Sequence, residues 1–408
     1  MNLTCRHCKN NLNHEIIDLG HQPLSNSFLT KEKILEKEIT FPLKVYLCTN
    51  CWLMQLPVHK SEKEIFSEEY PYFSSISKSW CLHAKNYVKK VIEKLNLSSD
   101  SLVVEIASND GYLLQYFNEK KIPNFGIEPT KATALAAKKK GVVTKRKFFS
   151  KSYAKELIDK GGFAEGGVDL LVANNVAAHV PDINDFIQGI SIMLNKTGVA
   201  SLEFPHLLKL IEGNQFDTIY HEHFSYFSLN TFIKISESNG LNLFDVEELS
   251  THGGSLRVWL SNNQSIVKSS NVFNLLKKEI SSGIENLEIY KKFKKKAIES
   301  KNQLIDFLLN EQKMNKKTYA YGAAAKGNTL LNFAGIRNDL IHAVADLAPS
   351  KQGKFLPGSH IPIISPEKLK SEDPDSILIL PWNLITELKQ DLSYCKLFAA
   401  IPKLILLN

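Results

Sequence analysis

The stretch Leu102-Val-Val-Glu-Ile-Ala-Ser-Asn-Asp-Gly111 decides the fold. A short apolar run carrying one acid passes straight into a polar turn closed by a single glycine, the pattern of a buried strand that delivers its turn to a binding crevice. Moving outward, Phe125-Gly-Ile-Glu128, Asp169-Leu-Leu-Val-Ala-Asn174 and Gly198-Val-Ala-Ser-Leu-Glu-Phe204 repeat the apolar run. Helical stretches separate them, among them Thr130 to Lys140, which Gly141 closes. Strands alternating with amphipathic helices predict an α/β domain around a mostly parallel sheet, with ligands at the strand C-termini.

Those ends carry Glu105, Ala107, Ser108, Asn109 and Asp110 after the first strand, Glu128 after the second, and Asn174 and Asn175 after the third. The set fits a nucleoside cofactor. Glu128 is the ribose candidate, because a carboxylate there accepts from both ribose hydroxyls and repels a phosphorylated ribose. The turn has one glycine where Gly-x-Gly-x-x-Gly would be needed to approach a pyrophosphate closely, which favours S-adenosylmethionine over a nicotinamide cofactor.

Towards the N-terminus stand two matched pairs, Cys5-Arg-His-Cys8 and Cys48-Thr-Asn-Cys51. Each pair places two thiolates on one tetrahedral zinc from a tight turn, and four thiolates leave no open position for chemistry. The zinc is therefore expected to be structural, holding a small β-rich module whose strands include Ile39 to Leu47. Two reduced or redox-active pairs are the alternative reading. Cys81 and Cys395 have no partner in the pattern and are expected to be buried.

The chain has 408 residues, with 50 Lys+Arg against 43 Asp+Glu and a net charge of +7. That length implies two or three domains, and the mild basic excess suits anionic small molecules without arguing for nucleic acid. No apolar run approaches a membrane span, and Met1-Asn-Leu-Thr-Cys5 is not a secretory signal, so the expected location is cytoplasmic. Oligomeric state is not written in such a sequence.

After the strand ending at Phe204 comes Tyr220-His-Glu-His-Phe-Ser-Tyr226, two imidazoles, a carboxylate and two phenols in seven residues. Methyl transfer from a sulfonium needs a base that creates a nucleophile, and histidine titrates in the right range. His223 is the favoured base, with Glu222 or a neighbouring carboxylate to orient an imidazole and a tyrosine hydroxyl to stabilise an enolate oxygen. Glu69-Tyr-Pro-Tyr72-Phe-Ser-Ser75 is a second aromatic cluster able to roof the pocket. Beyond His252-Gly-Gly-Ser-Leu-Arg257, which leads into a strand, one long helical segment is expected from Val267 to about Lys313, with Lys291 to Lys296 solvated. Thr318 to Thr329 then reads as strand, small-residue turn and helix start. Lys326, Gly327, Asn328 and Thr329 there suit a phosphate, with backbone amides at the helix N-terminus and a lysine beside them.

Taken together, these segments resemble the sugar C-methyltransferases, which use S-adenosylmethionine to methylate a carbon of a nucleotide-linked keto-deoxysugar. The resemblance rests on the paired cysteines, Glu105 to Leu114, Gly126-Ile-Glu-Pro129, Asn174 to Asp182, Tyr220 to Ser228, His252 to Arg257 and Tyr321 to Thr329. It implies a zinc module at 1–70, a Rossmann-like methyltransferase domain at 71–247 and a C-terminal Rossmann-like α/β domain at 248–408 that helps hold the nucleotide-sugar. It also implies His223 as base, with Tyr220, Glu222, Tyr72 and His179 lining the same site, and a monomeric protein with no nucleic-acid or membrane partner. Two other enzyme readings stand beside it: O- or N-methylation of another small molecule, and a nicotinamide-dependent sugar oxidoreductase. A zinc adaptor for protein or nucleic acid lacks a basic patch, since the lysines between Arg6 and Lys60 are offset by Glu15, Asp18, Glu32, Glu36 and Glu38.

Overall fold

A computed structural model describes residues 3–66, 73–160 and 167–407. Three sheets organise them. The first takes β1 (His14–Gln22), β2 (Phe41–Leu47) and β3 (Met54–Gln55), antiparallel in that order. The central sheet contains β4 (Val103–Ile106), β5 (Asn124–Ile127), β6 (Thr144–Lys145), β7 (Val168–Asn174) and β8 (Leu194–Pro205), all parallel. β9 (Ser225–Tyr226) leaves the central part of the chain to pair with β3, setting Met54 opposite Tyr226 and Gln55 opposite Ser225. The His-Glu-His segment is thus completed by the cysteine-bearing module.

The central order is β6-β5-β4-β7-β8, continued by β11 (Ser255–Ser261) and β10 (Asn242–Leu249). β11 runs antiparallel to both its neighbours, with Ser255 opposite Pro205 and Leu249. The expected boundary at 247/248 therefore falls inside a hairpin of this sheet, which extends to Ser261. Both faces are covered, as a parallel sheet requires. Phe186, Ile190 and Phe232 pack on one side, and Val88, Val91 and Phe117 on the other.

The third sheet has β12 (Thr318–Tyr321), β13 (Val344–Ala345), β14 (Ile363–Ile364), β15 (Ser376–Ile379), β16 (Lys396–Ala399) and β17 (Ile405–Leu406), in the order β14-β13-β12-β15-β16-β17. Only the last pair is antiparallel. The helical segment expected over Val267 to about Lys313 consists of two helices, Ser270–Ser281 and Leu287–Lys313. Gly283 takes φ of +80° between them, and the Asn286 side chain accepts from the Glu288 amide to start the second. Cys81 and Cys395 are half-buried rather than buried, each thiol facing main-chain carbonyls. No helix among the described residues is long and apolar enough to cross a membrane.

The cysteine turns are built alike. Lys9 and Trp52 sit at φ of +62°, and their amides return to the Cys5 and Cys48 carbonyls at 3.0 and 2.7 Å. The four sulfurs converge within 4.8 Å, with Cys5 to Cys51 at 3.6 Å and Cys8 to Cys48 at 3.5 Å. Zinc with sulfurs at about 2.3 Å spaces them by about 3.8 Å, so the cluster fits the metal. The long insert between the pairs reaches the C-terminal part, where the Glu38 carboxylate accepts from the Gly358 amide and from the His360 ring at 3.0 Å. Removing the metal, or Cys48→Ser, is expected to lower the melting temperature by on the order of 10 °C. Metal analysis should find one zinc per chain in the wild type; unchanged melting after chelation would show that the metal does not hold the module.

Candidate active site

At the C-terminal ends of β4, β5, β7 and β8 lies a cavity of about 430 Å³. All three parts of the chain wall it: Asn26 and Phe66 from the first, the strand-end turns from the second, Lys326 and Lys351 from the third. Four non-glycine residues on its rim are left-handed: Ala107, Asn109, Asn175 and His252, with φ between 48° and 56°. Such strain gathers where the surroundings hold a binding surface in place.

Among the expected cofactor residues, Ala107, Asn109, Glu128, Asn174 and Asn175 line the cavity. One Glu128 oxygen accepts from the Asn109 amide at 3.0 Å and the other from the Thr130 amide at 2.9 Å, so the carboxylate is fixed by the loops on either side. The Asn174 and Asn175 side-chain oxygens have no partner among the described residues, as a polar ligand's site requires. Glu105, Ser108 and Asp110 stand behind this surface and do not line it. Burial holds the Glu105 carboxyl well above the usual range, and Asp110 meets Lys140 at 3.1 Å. Ser108 is tucked against Gly126, where any β-carbon would lie 2.0 Å from its hydroxyl. A fixed carboxylate, two unpartnered amide oxygens and a single-glycine turn fit S-adenosylmethionine.

The imidazole cluster faces the same cavity from the turn before β9. His223 Nδ1 lies 2.8 Å from the Thr218 carbonyl, which can only accept, so Nδ1 carries the proton. Nε2 then accepts from the Tyr220 hydroxyl at 2.8 Å. The His179 ring lies 4.7 Å away, centroid to centroid. Burial is the main cause holding His223 well below its ordinary pKa, with His179 adding to it, and burial takes His179 to about 4. Both rings are neutral near pH 7. The orienting contact expected of Glu222 is supplied by the Thr218 main chain; Glu222 lines the cavity and accepts from the Asn26 side chain at 2.6 Å. Tyr72 lies outside the described residues.

On the C-terminal side, Lys326 lines the cavity, donating to Asn383 at 2.6 Å over the Trp382 ring. Gly327, Asn328 and Thr329 turn inward: Gly327 packs on Leu380, Asn328 is buried, and the Thr329 hydroxyl donates to the Ile219 carbonyl at 3.1 Å. Thr329 braces the His223 turn from behind, and none of the three forms the wall. Sequence reasoning assigned no role to Trp80, Tyr112, His252, Lys351 or Asn26, all of which line the cavity. His252 had a signal in the two glycines after it. Asn26, on a loop of the zinc module, had none.

Comparison with known proteins agrees with this layout. Family models match in succession: a zinc binding domain over residues 5–66, a methyltransferase domain over 82–246 and a C-methyltransferase C-terminal domain over 250–400. The C-methyltransferase NovU of Streptomyces niveus is 34% identical over 386 residues, 94% of this chain and 90% of that protein. Solved structures align only in part. An S-adenosylmethionine-dependent methyltransferase from Clostridium acetobutylicum covers 45% of this chain and 91% of its own at 10% identity and a TM-score of 0.34. Magnesium protoporphyrin IX methyltransferase from Synechocystis, with bound S-adenosylhomocysteine, covers 45% of this chain and 83% of its own at 14% identity and 0.36. Matched along nearly its whole length to a C-methyltransferase, the chain belongs to the C-methyltransferase family.

Proposed function

We propose that this S-adenosylmethionine-dependent methyltransferase C-methylates a nucleotide-linked keto-deoxysugar, with His223 as the base, in the making of branched sugars. One observation carries the reading: a buried neutral imidazole that lines the cavity with the cofactor residues, its Nδ1 proton held by a carbonyl and its Nε2 accepting from the Tyr220 hydroxyl. Such a group can remove a proton from the carbon beside a ketone or from a hydroxyl, and the likeness to a C-methyltransferase along nearly the whole chain favours carbon.

Asn109, Glu128, Asn174 and Asn175 hold the cofactor, which when bound supplies an electrophilic methyl group. A ketone acidifies the neighbouring C–H of the acceptor. Nε2 of His223 takes that proton, and the electron pair of the broken bond moves onto the ketone oxygen as an enolate. For Nε2 to accept that proton the Tyr220 hydroxyl first turns its own proton away from the ring, and it then donates to the ketone oxygen where the enolate charge develops. The Thr218 carbonyl keeps the ring oriented and stabilises the imidazolium. Phe66, Phe148 and Phe149 help keep water away, while Lys326 and Lys351 offer positive charge to the acceptor's phosphates. The C-terminal part contributes those lysines, and His179 lines the same cavity beside His223.

Purified protein given methyl-labelled S-adenosylmethionine and a panel of nucleotide-linked 4-keto-deoxysugars, in ordinary and deuterated water, should place label on a sugar carbon. His223→Ala is expected to lower kcat by about 10²–10⁴-fold, and Tyr220→Phe by about 10-fold. Label on oxygen or nitrogen would overturn C-methylation, and full activity of the alanine variant would defeat the base assignment. Because the base works unprotonated and its pKa is depressed, kcat/KM should hold as pH falls through 6.5 and decline only well below it. A decline centred at 6.5 would mean an ordinary, solvated histidine. Glu128→Ala should weaken cofactor binding by at least about 10-fold in calorimetry.

A further inference from the structure

A closed ring of contacts runs beside the two imidazoles and is completed by a side chain of the zinc-binding turn. The Phe224 amide donates to the Ala178 carbonyl at 2.8 Å, and the Leu56 amide donates to the Phe224 carbonyl at 3.0 Å. Arg6, between Cys5 and Cys8, closes the circuit: Nη1 donates to the Pro181 carbonyl at 3.0 Å and Nη2 donates to the Leu56 carbonyl. Its guanidinium sits 5.5 Å from the centre of the Phe224 ring. Phe224 and Ala178 are the immediate chain neighbours of His223 and His179, so the ring holds the two turns that present those imidazoles.

Arg6 is anchored in turn. Its amide donates to the Gln55 side chain at 2.9 Å, and the Gln55 side-chain nitrogen donates to the Cys5 sulfur at 3.2 Å. A guanidinium suits the task because its donors leave one rigid plane at fixed angles and reach two carbonyls on different segments at once; a lysine ammonium reaches them only as a point charge. A solvating role does not account for the contacts, since both acceptors are main-chain carbonyls of the segments to be joined.

We propose that Arg6 is a positioning residue of the reaction, which sets His179 against His223 and so makes the zinc-binding turn part of the catalytic framework. The proposal rests on the reading of His223 as base. It differs from a merely structural role in leaving metal content and ligand binding intact while slowing the proton transfer.

The test uses the full-length zinc-loaded protein and its Arg6→Gln, Arg6→Lys, His223→Ala and Arg6→Gln/His223→Ala variants. Arg6→Gln should keep one zinc per chain and keep S-adenosylmethionine affinity and acceptor KM within about 2-fold. Its kcat and its rate of deuterium exchange at the acceptor carbon should both fall by about 10–100-fold. Arg6→Lys should recover part of the loss. In the His223→Ala background the Arg6→Gln change should cost nothing further. In the free protein, ring-to-ring nuclear Overhauser contacts between His179 and His223 should weaken in Arg6→Gln. Unchanged kcat and unchanged ring contacts, or an equal loss with and without His223, would overturn the proposal. If Arg6→Gln does not fold, Arg6→Lys decides by the same measurements. An active His223→Ala protein would instead refute the base assignment, and the ring contacts would still judge Arg6.

Discussion

Two residues of β-pairing carry an unusual share of this structure. Met54 and Gln55 of the zinc module pair with Tyr226 and Ser225 of the methyltransferase part. That pairing fixes the His223 turn at its C-terminal end, where β9 follows it. A pair so short has little stability of its own and must be held at both ends. The zinc turns hold one end, where the Thr231 hydroxyl also donates to the Cys51 carbonyl at 3.1 Å. The Phe224 to Ala178 contact holds the other. The zinc-binding turns thus reach the His223 turn through main-chain hydrogen bonds, and that turn contains no metal ligand.

Enclosure of that turn has an electrostatic consequence. His179, His221, His223 and His252 are all driven to low pKa by burial. Three of these imidazoles, His179, His223 and His252, line the cavity and add no positive charge to it, while Lys147 lines it from the methyltransferase part and Lys326 and Lys351 from the C-terminal part. A base that is deprotonated by its surroundings needs no anionic partner, and a carbonyl suffices to orient it.

The C-terminal part does more than close the cavity. Trp382 donates to the buried Asp217 carboxylate at 2.7 Å, and burial raises that carboxyl to about 6. Asp217 belongs to the short helical turn Phe216–Thr218, whose last carbonyl receives the His223 proton. Any β-carbon on Gly253 would lie 2.4 Å from the Trp382 ring, which ties the tryptophan to the turn carrying His252 as well. One indole therefore supports both imidazole-bearing turns.

Much of this was legible in the chain because it is local. The alternation of short apolar runs with helices, the strand-end acids and the paired cysteines are patterns within a few residues of one another, and backbone periodicity or metal geometry ties each to one structure. Glu128 was readable because a strand end always faces the crevice. What the chain did not show arises from long-range contacts. The place of β11 in the central sheet, the break of the expected helical segment into two helices at Gly283, and the inward turn of Gly327 to Thr329 depend on partners far away in sequence. Thr218 orients His223 in place of Glu222 because a carbonyl five residues earlier folds back under the ring. Asn26, Trp80 and Arg6 meet the site only when three parts of the chain pack together. The sequence by itself determined the chemistry available; the tertiary structure decided which groups face one another, because hydrogen bonds act over about 3 Å and no pattern along the chain measures that distance.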